Sequence, residues 1–245
     1  MTPDGHREAQ VRNALAPVCD PELDESVIEL GFVTTVEVDG AGGVDIGFRL
    51  PTYWCSPNFA FLMADDMRRA VAALPWVTRA GVHLSDHMND AQINSGLAAG
   101  RSFSEVFGAE ASGNLEDLRQ TFAVKAFQRR QDKLLRHLLD SGRSADEVVA
   151  LRLEQLQSLA LDDAGGALRA RYLDRRGVVA ASDEVLAFID QHGAPLPAAS
   201  LPQYLRAMRL VGVNTEFNGA LCRGLLQERY GTASPHPVHF MRQAA

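Results

Sequence analysis

The chain has 245 residues, of which 46% are hydrophobic and 22% are charged, a composition typical of globular proteins. No apolar run approaches the roughly 20 residues that a bilayer-spanning helix needs, and the polar first residues are unlike a signal peptide. Three cysteines, Cys19, Cys55 and Cys222, are too few and too scattered for a disulfide framework or a paired-cysteine zinc site. These features argue against membrane and disulfide-rich proteins and predict a cytoplasmic protein with free thiols.

The charge is unevenly distributed along the chain. Residues 1–88 hold 6 Lys/Arg and 13 Asp/Glu, a net charge of −7, whereas residues 89–245 hold 18 of each and are neutral. An acidic first part disfavours nucleic acid and suits a metal cation or a basic protein partner. Acidic surfaces are also common for solubility alone, so charge by itself does not select a partner.

The first part of the chain predicts a small α/β sandwich. A helix over 7–17 ends at a proline, and two strands over 32–38 and 44–50 form a hairpin around a glycine-rich loop. Val44, Ile46, Phe48 and Leu50 alternate with polar residues and predict one buried sheet face. A helix over 57–74 and a third strand over 76–84 complete the order helix, hairpin, helix, strand.

The second part of the chain predicts only helices. Ser102 with Glu105, and Ser144 with Glu147, have the spacing of the capping box, which marks helix starts. The expected fold is therefore α+β, with a domain over 1–88 and an all-α domain over 89–245 that binds a client or partner. The predicted helices of the second part span 102–107, 115–140, 145–160, 165–176, 183–191, 201–211 and 215–230.

The junction at residues 50–57 places a cysteine where a strand ends and a helix begins. Ser56 is a good N-cap and Pro57 suits the first helical position, so Cys55 lies at the helix start. Unpaired amides and the positive end of the helix dipole favour a thiolate there, which is a soft-metal ligand or a nucleophile. A buried, inert cysteine is the alternative, because free cysteines are often buried.

Several motifs of the first part occur in a characteristic order. They are the turn Asp20-Pro21-Glu22, the step Leu30-Gly31-Phe32, the junction with Thr52, Cys55 and Pro57, and the strand that ends at Leu84.

Together these motifs resemble the PaaD/SufT-type iron–sulfur assembly factors over about residues 7–88. The resemblance implies that Cys55 is the reactive cysteine and that Asp20, Glu22 and Thr52 line its pocket. The family is linked to iron–sulfur maturation, and its PaaD-like members accompany multicomponent oxygenases. This chain departs from the pattern in having an aromatic pair, Tyr53-Trp54, before the cysteine and one residue between the cysteine and the proline.

Three polar side chains, His83, Asp86 and His87, follow or end the last predicted strand. Fe(II) and zinc accept imidazole, carboxylate and thiolate ligands together. We therefore hypothesise a mononuclear metal site, for which a polar strand end in water is the alternative. Its ligands would be Cys55 with His87 and Asp20 or Glu22, in a pocket that also contains Thr52, Asp86, His83 and Cys19.

The leading functional hypothesis is a non-enzymatic maturation factor. It would hold iron or an iron–sulfur cluster transiently, with zinc as a substitute in purified protein, and its helical part would bind a client metalloenzyme or another iron–sulfur assembly protein. One alternative is a scaffold or chaperone that stabilises a partner without handling metal. Another is a thiol enzyme with a Cys55–His87 nucleophile pair. A homodimer is left open, and neither nucleic acid nor membrane is an expected partner.

Overall fold

The computed structural model describes residues 3–108, 115–179 and 185–231. By its internal contacts the chain forms two compact units, residues 1–118 with 216–245, and residues 119–215. The predicted α+β class is confirmed: small sheets lie in the first unit, followed by helices. The first unit extends beyond the predicted domain over 1–88, because later helices share its core. The partner-binding role of the helical part stays a prediction.

The first unit contains both sheets. Its elements are α1 (Pro3–Leu15), β1 (Cys19–Asp20), β2 (Glu25–Ser26), β3 (Val33–Val38), β4 (Gly43–Arg49), α2 (Pro57–Ala72), β5 (Arg79–Ser85), α3 (Asp90–Ala98) and α4 (Phe103–Phe107).

The main sheet has the strand order β3-β4-β5. Strands β3 and β4 form the predicted antiparallel hairpin, whereas β5 lies parallel to β4, with Ile46 opposite Val82. A parallel pair needs a crossover connection, and α2 supplies it. The short strands β1 and β2 pair separately, with Asp20 opposite Glu25. The loop between β4 and α2 therefore leaves the middle strand of the sheet and leads directly to the start of α2.

The core of the first unit lies between the sheet and its helices. Val44, Ile46 and Phe48 of β4 are buried, as their alternation predicted, and half of the residues of α2 are buried, most of them in the same core. On the edge strand β5, the Asn94 side chain accepts from the Leu84 amide and donates to the Leu84 carbonyl, both at 2.8 Å. Helix α3 thus covers a strand edge that would otherwise expose unpaired backbone groups.

The second unit is helical. Its helices are α5 (Leu115–Asp140, whose first residues belong to the first unit), α6 (Ala145–Val149), α7 (Leu153–Ser158), α8 (Asp163–Arg176) and α9 (Leu201–Tyr230, of which residues from 216 onward belong to the first unit). The buried Tyr172 hydroxyl donates to Gln131 Oε1 at 2.9 Å, and Gln131 Nε2 donates to the Ile189 carbonyl at 2.7 Å. The buried Tyr172 hydroxyl and the Gln131 amide are therefore paired, as burial requires.

Two helices predicted between residues 145 and 191 differ from the structure. The helix predicted over 145–160 is interrupted between α6 and α7, where Arg152 pairs with Leu186. The helix predicted over 183–191 is wrong for the described residues 185–191. Leu186 and Ile189 form β-bridges there, Leu186 to Arg152 and Ile189 to Pro195. Positions 183 and 184 lie outside the described residues. Tertiary pairing overrides weak helix propensity in such segments.

The last two predicted helices, over 201–211 and 215–230, form the single helix α9. Gly212 disfavours a helix by roughly 1 kcal/mol but keeps its backbone amide, so the helix continues through it. No helix among the described residues is long and apolar enough to cross a bilayer.

Candidate functional site

Cys55 lies in the loop before α2, as predicted. Helix α2 begins at Pro57 with Ser56 as its N-cap, and the half-buried Cys55 packs against the core of the first unit. The Thr52 hydroxyl lies 3.0 Å from the Cys55 sulfur, and the Cys55 amide donates to the Thr52 carbonyl at 3.4 Å. This turn holds a hydroxyl and a thiol side by side just before the start of α2.

His87 contacts Cys55 through the backbone. Its ring is 1% exposed, Nδ1 accepts from the Asn89 amide at 3.1 Å, and Nε2 lies 2.8 Å from the Cys55 carbonyl oxygen. Because Nδ1 accepts, the neutral ring carries its proton on Nε2 and donates to that carbonyl. Both ring nitrogens are thus engaged. In this arrangement His87 positions the cysteine, and it would have to break a hydrogen bond to ligate a metal.

Asp20 is a buried carboxylate in β1. It is 9% exposed, and its Oδ1 accepts from the amides of Glu22 at 2.9 Å and Leu23 at 2.8 Å. Burial raises the Asp20 pKa to about 6, against the opposing effect of these two hydrogen bonds. Neighbouring Cys19 lies on the other side of the strand, where its thiol donates to the Pro17 carbonyl at 3.5 Å. Cys19 is therefore directed away from Asp20.

Asp86 and His83, two residues of the predicted pocket, make contacts other than with Cys55. Asp86 adopts a positive φ of 55° and accepts from the Arg229 guanidinium at 2.7 Å and from the Tyr230 hydroxyl. His83 alternates with the buried Val82 and Leu84, so it faces outward, into a shallow cavity on the exposed side of the sheet. The structure gives Asp86 a cationic partner and places His83 on the sheet face opposite the core that Cys55 contacts.

Cys222 is a half-buried thiol of helix α9. Burial, together with the nearby charges of Asp20 and Glu22, raises its pKa to about 12, against the opposing effect of Arg223. These interactions place its sulfur in the same electrostatic environment as Asp20 and Cys55. No local motif marks this residue, because only the packing of α9 brings it there.

Within residues 3–108, 115–179 and 185–231, no group of three or more His, Cys, Asp or Glu side chains is arranged to hold a metal ion. The four-ligand site of Cys55, His87, Asp20 and Glu22 therefore stays a prediction. The chemistry present is that of thiols and carboxylates around a helix start, which suits a thiophilic cation held by few protein ligands.

Comparison with known proteins gives a consistent picture for the first part of the chain. A family described as iron-sulfur cluster assembly protein matches residues 8–84. An uncharacterized protein of Methanocaldococcus jannaschii is 32% identical over 87 residues, 36% of this chain and 90% of that protein. A Bacillus subtilis Fe-S protein maturation auxiliary factor is 34% identical over 74 residues, 30% of this chain and 71% of that protein.

Iron-sulfur cluster carrier proteins of mycobacteria are also similar. That of Mycobacterium tuberculosis is 34% identical over 91 residues, which is 37% of this chain but only 23% of the carrier protein. The chain thus spans about a quarter of the length of these relatives. The family match includes Asp20, Thr52 and Cys55 and ends before His87 and Cys222.

Proposed function

The chain belongs to the iron–sulfur cluster assembly protein family, and on that premise we propose that it holds iron or an iron–sulfur cluster as cargo on Cys55 and passes it to a client protein. In this proposal the protein is an accessory maturation factor, and the cargo is its substrate. Residues 8–84, which carry the family match, include the whole Cys55 turn. The similarity to a maturation auxiliary factor over 71% of that relative's length supports the proposal.

The observation that carries the proposal is the placement of the Cys55 sulfur. It is half-buried at the start of α2, 3.0 Å from the Thr52 hydroxyl. A thiolate is a strong ligand for iron in clusters, and a site with few protein ligands leaves positions on the metal for exchange. Such a site suits cargo that has to leave again, whereas a closed four-ligand site would retain it.

A surface for the client lies beside this sulfur. Trp54 is 73% exposed, Met88 54% and Tyr53 48%, and the Met88 amide donates to the Tyr53 carbonyl at 2.8 Å, so the two loops lie together. We call these three residues the exposed patch. Large apolar side chains grouped on a surface are typical of protein contacts. We propose that the client, an iron-dependent multicomponent oxygenase by resemblance to PaaD-like factors, contacts the exposed patch while it receives the cargo.

The test is anaerobic reconstitution of purified protein with ferrous iron and sulfide. We expect the wild type to bind iron and to show sulfur-to-iron charge-transfer absorption, and Cys55→Ser to lose both. Cys19→Ser is the matched control, because Cys19 points away from Asp20, and it should behave as the wild type. Equal iron in Cys55→Ser and the wild type would contradict the proposal. If such a variant still promoted maturation of the client, the scaffold role would account for it.

A further inference from the structure

The last part of α9, residues 216–230, packs on the loops that surround Cys55. Asn218, Cys222, Leu226 and Arg229 are spaced by four, four and three residues, so they lie on one face of the helix. Leu226 is 4% exposed and belongs to the core of the first unit. This face of the helix is therefore turned toward the sheet and its loops.

Polar contacts hold this face at both ends. At the near end, the Asn218 amide donates to Glu22 Oε1 at 3.0 Å, and the Arg223 guanidinium pairs with Glu25 at 2.6 Å. At the far end, Arg229 donates to the Pro51 carbonyl at 3.1 Å and pairs with Asp86 at 2.7 Å. The contacted groups belong to the turn after Asp20, to the loop before Cys55 and to the loop before His87.

Cys222 lies between Asn218 and Arg229 on this face of the helix. It is half-buried and packs against the same core as Cys55. Its position one turn after Asn218, which contacts Glu22, and one turn before Leu226 directs its sulfur toward the loops that carry Asp20 and Cys55. The repulsion that it experiences from Asp20, Cys55 and Glu22 agrees with this placement.

We propose that Cys222 is a second thiol ligand for the cargo, which the C-terminal helix adds to the site of Cys55. The proposal rests on the proposed function, since it concerns the same iron or iron–sulfur cargo. Each thiol loses its proton to solvent as its sulfur binds the metal. Two cysteine thiolates would leave the remaining metal positions to sulfide or to ligands of the client.

The neighbouring side chains suit a cation at this face of the helix. One turn before Cys222, Asn218 bonds the carboxylate of Glu22 at 3.0 Å, and a carboxylate near thiols stabilises a bound metal cation. Cys222 lies outside the family match, so this ligand would distinguish the chain from its shorter relatives.

The experiment is titration of the metal-free full-length protein with Co(II) under anaerobic conditions, because sulfur-to-cobalt charge-transfer absorption increases with the number of bound thiolates. We expect Cys222→Ser and Cys222→Ala to lose about half of the wild-type absorption and Cys55→Ser to lose more than that. Cys19→Ser should keep the wild-type value. Circular dichroism checks that each variant is folded.

A second measurement uses the unsubstituted protein and therefore does not depend on the folding of any variant. A short bifunctional thiol reagent, dibromobimane, is added to the metal-free protein and left until Cys222, which is alkylated slowly, has reacted. The linked peptides are then identified by mass spectrometry. A bridge between Cys55 and Cys222 is the expected product.

The two hypotheses fail in different ways. Wild-type cobalt absorption in both Cys222 variants, together with loss in Cys55→Ser, overturns the second ligand and leaves the proposed function intact. Wild-type absorption in Cys55→Ser overturns the proposed function. Absence of the Cys55–Cys222 bridge is by itself enough to contradict the placement of Cys222 near Cys55.

Discussion

At the scale of the residue, the buried carboxylate of Asp20 lowers the stability of the folded protein at neutral pH. Its carboxylate accepts two backbone amides in the turn before Leu23, but it is 9% exposed, and burial raises its pKa to about 6. In the unfolded chain this carboxyl has its ordinary value of 3.8. A buried charge that lowers stability is typical of a functional site. Here the Asp20 carboxylate would stabilise a cationic cargo.

The pH dependence of stability follows from this shift. Between about pH 4 and pH 6 the folded carboxyl keeps a proton that the unfolded one releases, so stability falls as the pH rises. Above about pH 6 the penalty is complete and amounts to at most about 3 kcal/mol. Below about pH 4 both states are protonated and no penalty remains.

We predict that Asp20→Asn is more stable than the wild type at pH 7.5, by up to about 3 kcal/mol, and close to it at pH 4. Asparagine keeps the oxygen that accepts the two amides and lacks the charge. Urea unfolding at both pH values measures the difference. Asp45→Asn is the control of opposite sign, because Arg79 lowers the pKa of Asp45. If the free energies of unfolding of Asp20→Asn and the wild type differed by the same amount at both pH values, the prediction would be contradicted.

At the scale of the element, the end of α9 is held by few contacts. Arg229 and Tyr230 both bond Asp86, and the Arg49 guanidinium lies 3.7 Å from the Tyr230 ring centroid. Asp86 needs its positive φ of 55° to present its carboxylate there, a conformation that Asp tolerates better than most residues. We call these contacts of Asp86, Arg229, Tyr230 and Arg49 the clasp. They join the helix end to the loop before His87. Opening the clasp would loosen the end of the helix that follows Cys222 and Leu226.

We predict that Arg229→Ala opens this clasp. Amide hydrogen exchange of residues 218–230 should become faster, and alkylation of Cys222, slow in the wild type because its pKa is raised to about 12, should become faster as well. The free energy of unfolding should change by only about 1 kcal/mol or less, since the ion pair is partly exposed. Arg209→Ala, an exposed arginine of the same helix, is the control. Equal exchange in the two variants would show that the clasp does not hold the helix.

At the scale of the whole molecule, delivery of cargo requires a thiol that is covered from one side and approachable from another. The last part of α9 covers the site through Asn218 and Arg229, while the exposed patch around Trp54 offers apolar surface next to Cys55. A protein that binds the patch would come within reach of the Cys55 sulfur, which carries the cargo in the proposed function.

We predict that Trp54→Ala slows cluster transfer to the client at least tenfold (about 1.4 kcal/mol), because an exposed tryptophan at a protein contact contributes on that order or more. Iron uptake should not change, since Trp54 is not a ligand. The measurement is the rate of transfer from reconstituted protein to the metal-free client. Leu210→Ala is the matched control, since Leu210 is 75% exposed. Equal slowing by the two substitutions would contradict a role specific to the patch.

Local pattern predicted much of the first unit. The alternation in β4, the N-cap Ser56 and Pro57 set the strand, the turn and the start of α2 correctly, because such signals depend on neighbours in the chain. The contacts around Cys55 could not be predicted in this way. The ring of His87, which stays a predicted ligand, bonds the Cys55 carbonyl and the Asn89 amide. Backbone contacts of this kind leave no trace in residue spacing.

The sequence by itself determined the α+β class, the position of Cys55 at the start of a helix and the family to which residues 8–84 belong. Only the tertiary structure decided that Cys222 and Asp20 share one electrostatic environment and that α9 covers the Cys55 loops. The physical reason is that periodicity states which face of a helix has to be buried, but the surface that buries it is chosen by packing among distant segments.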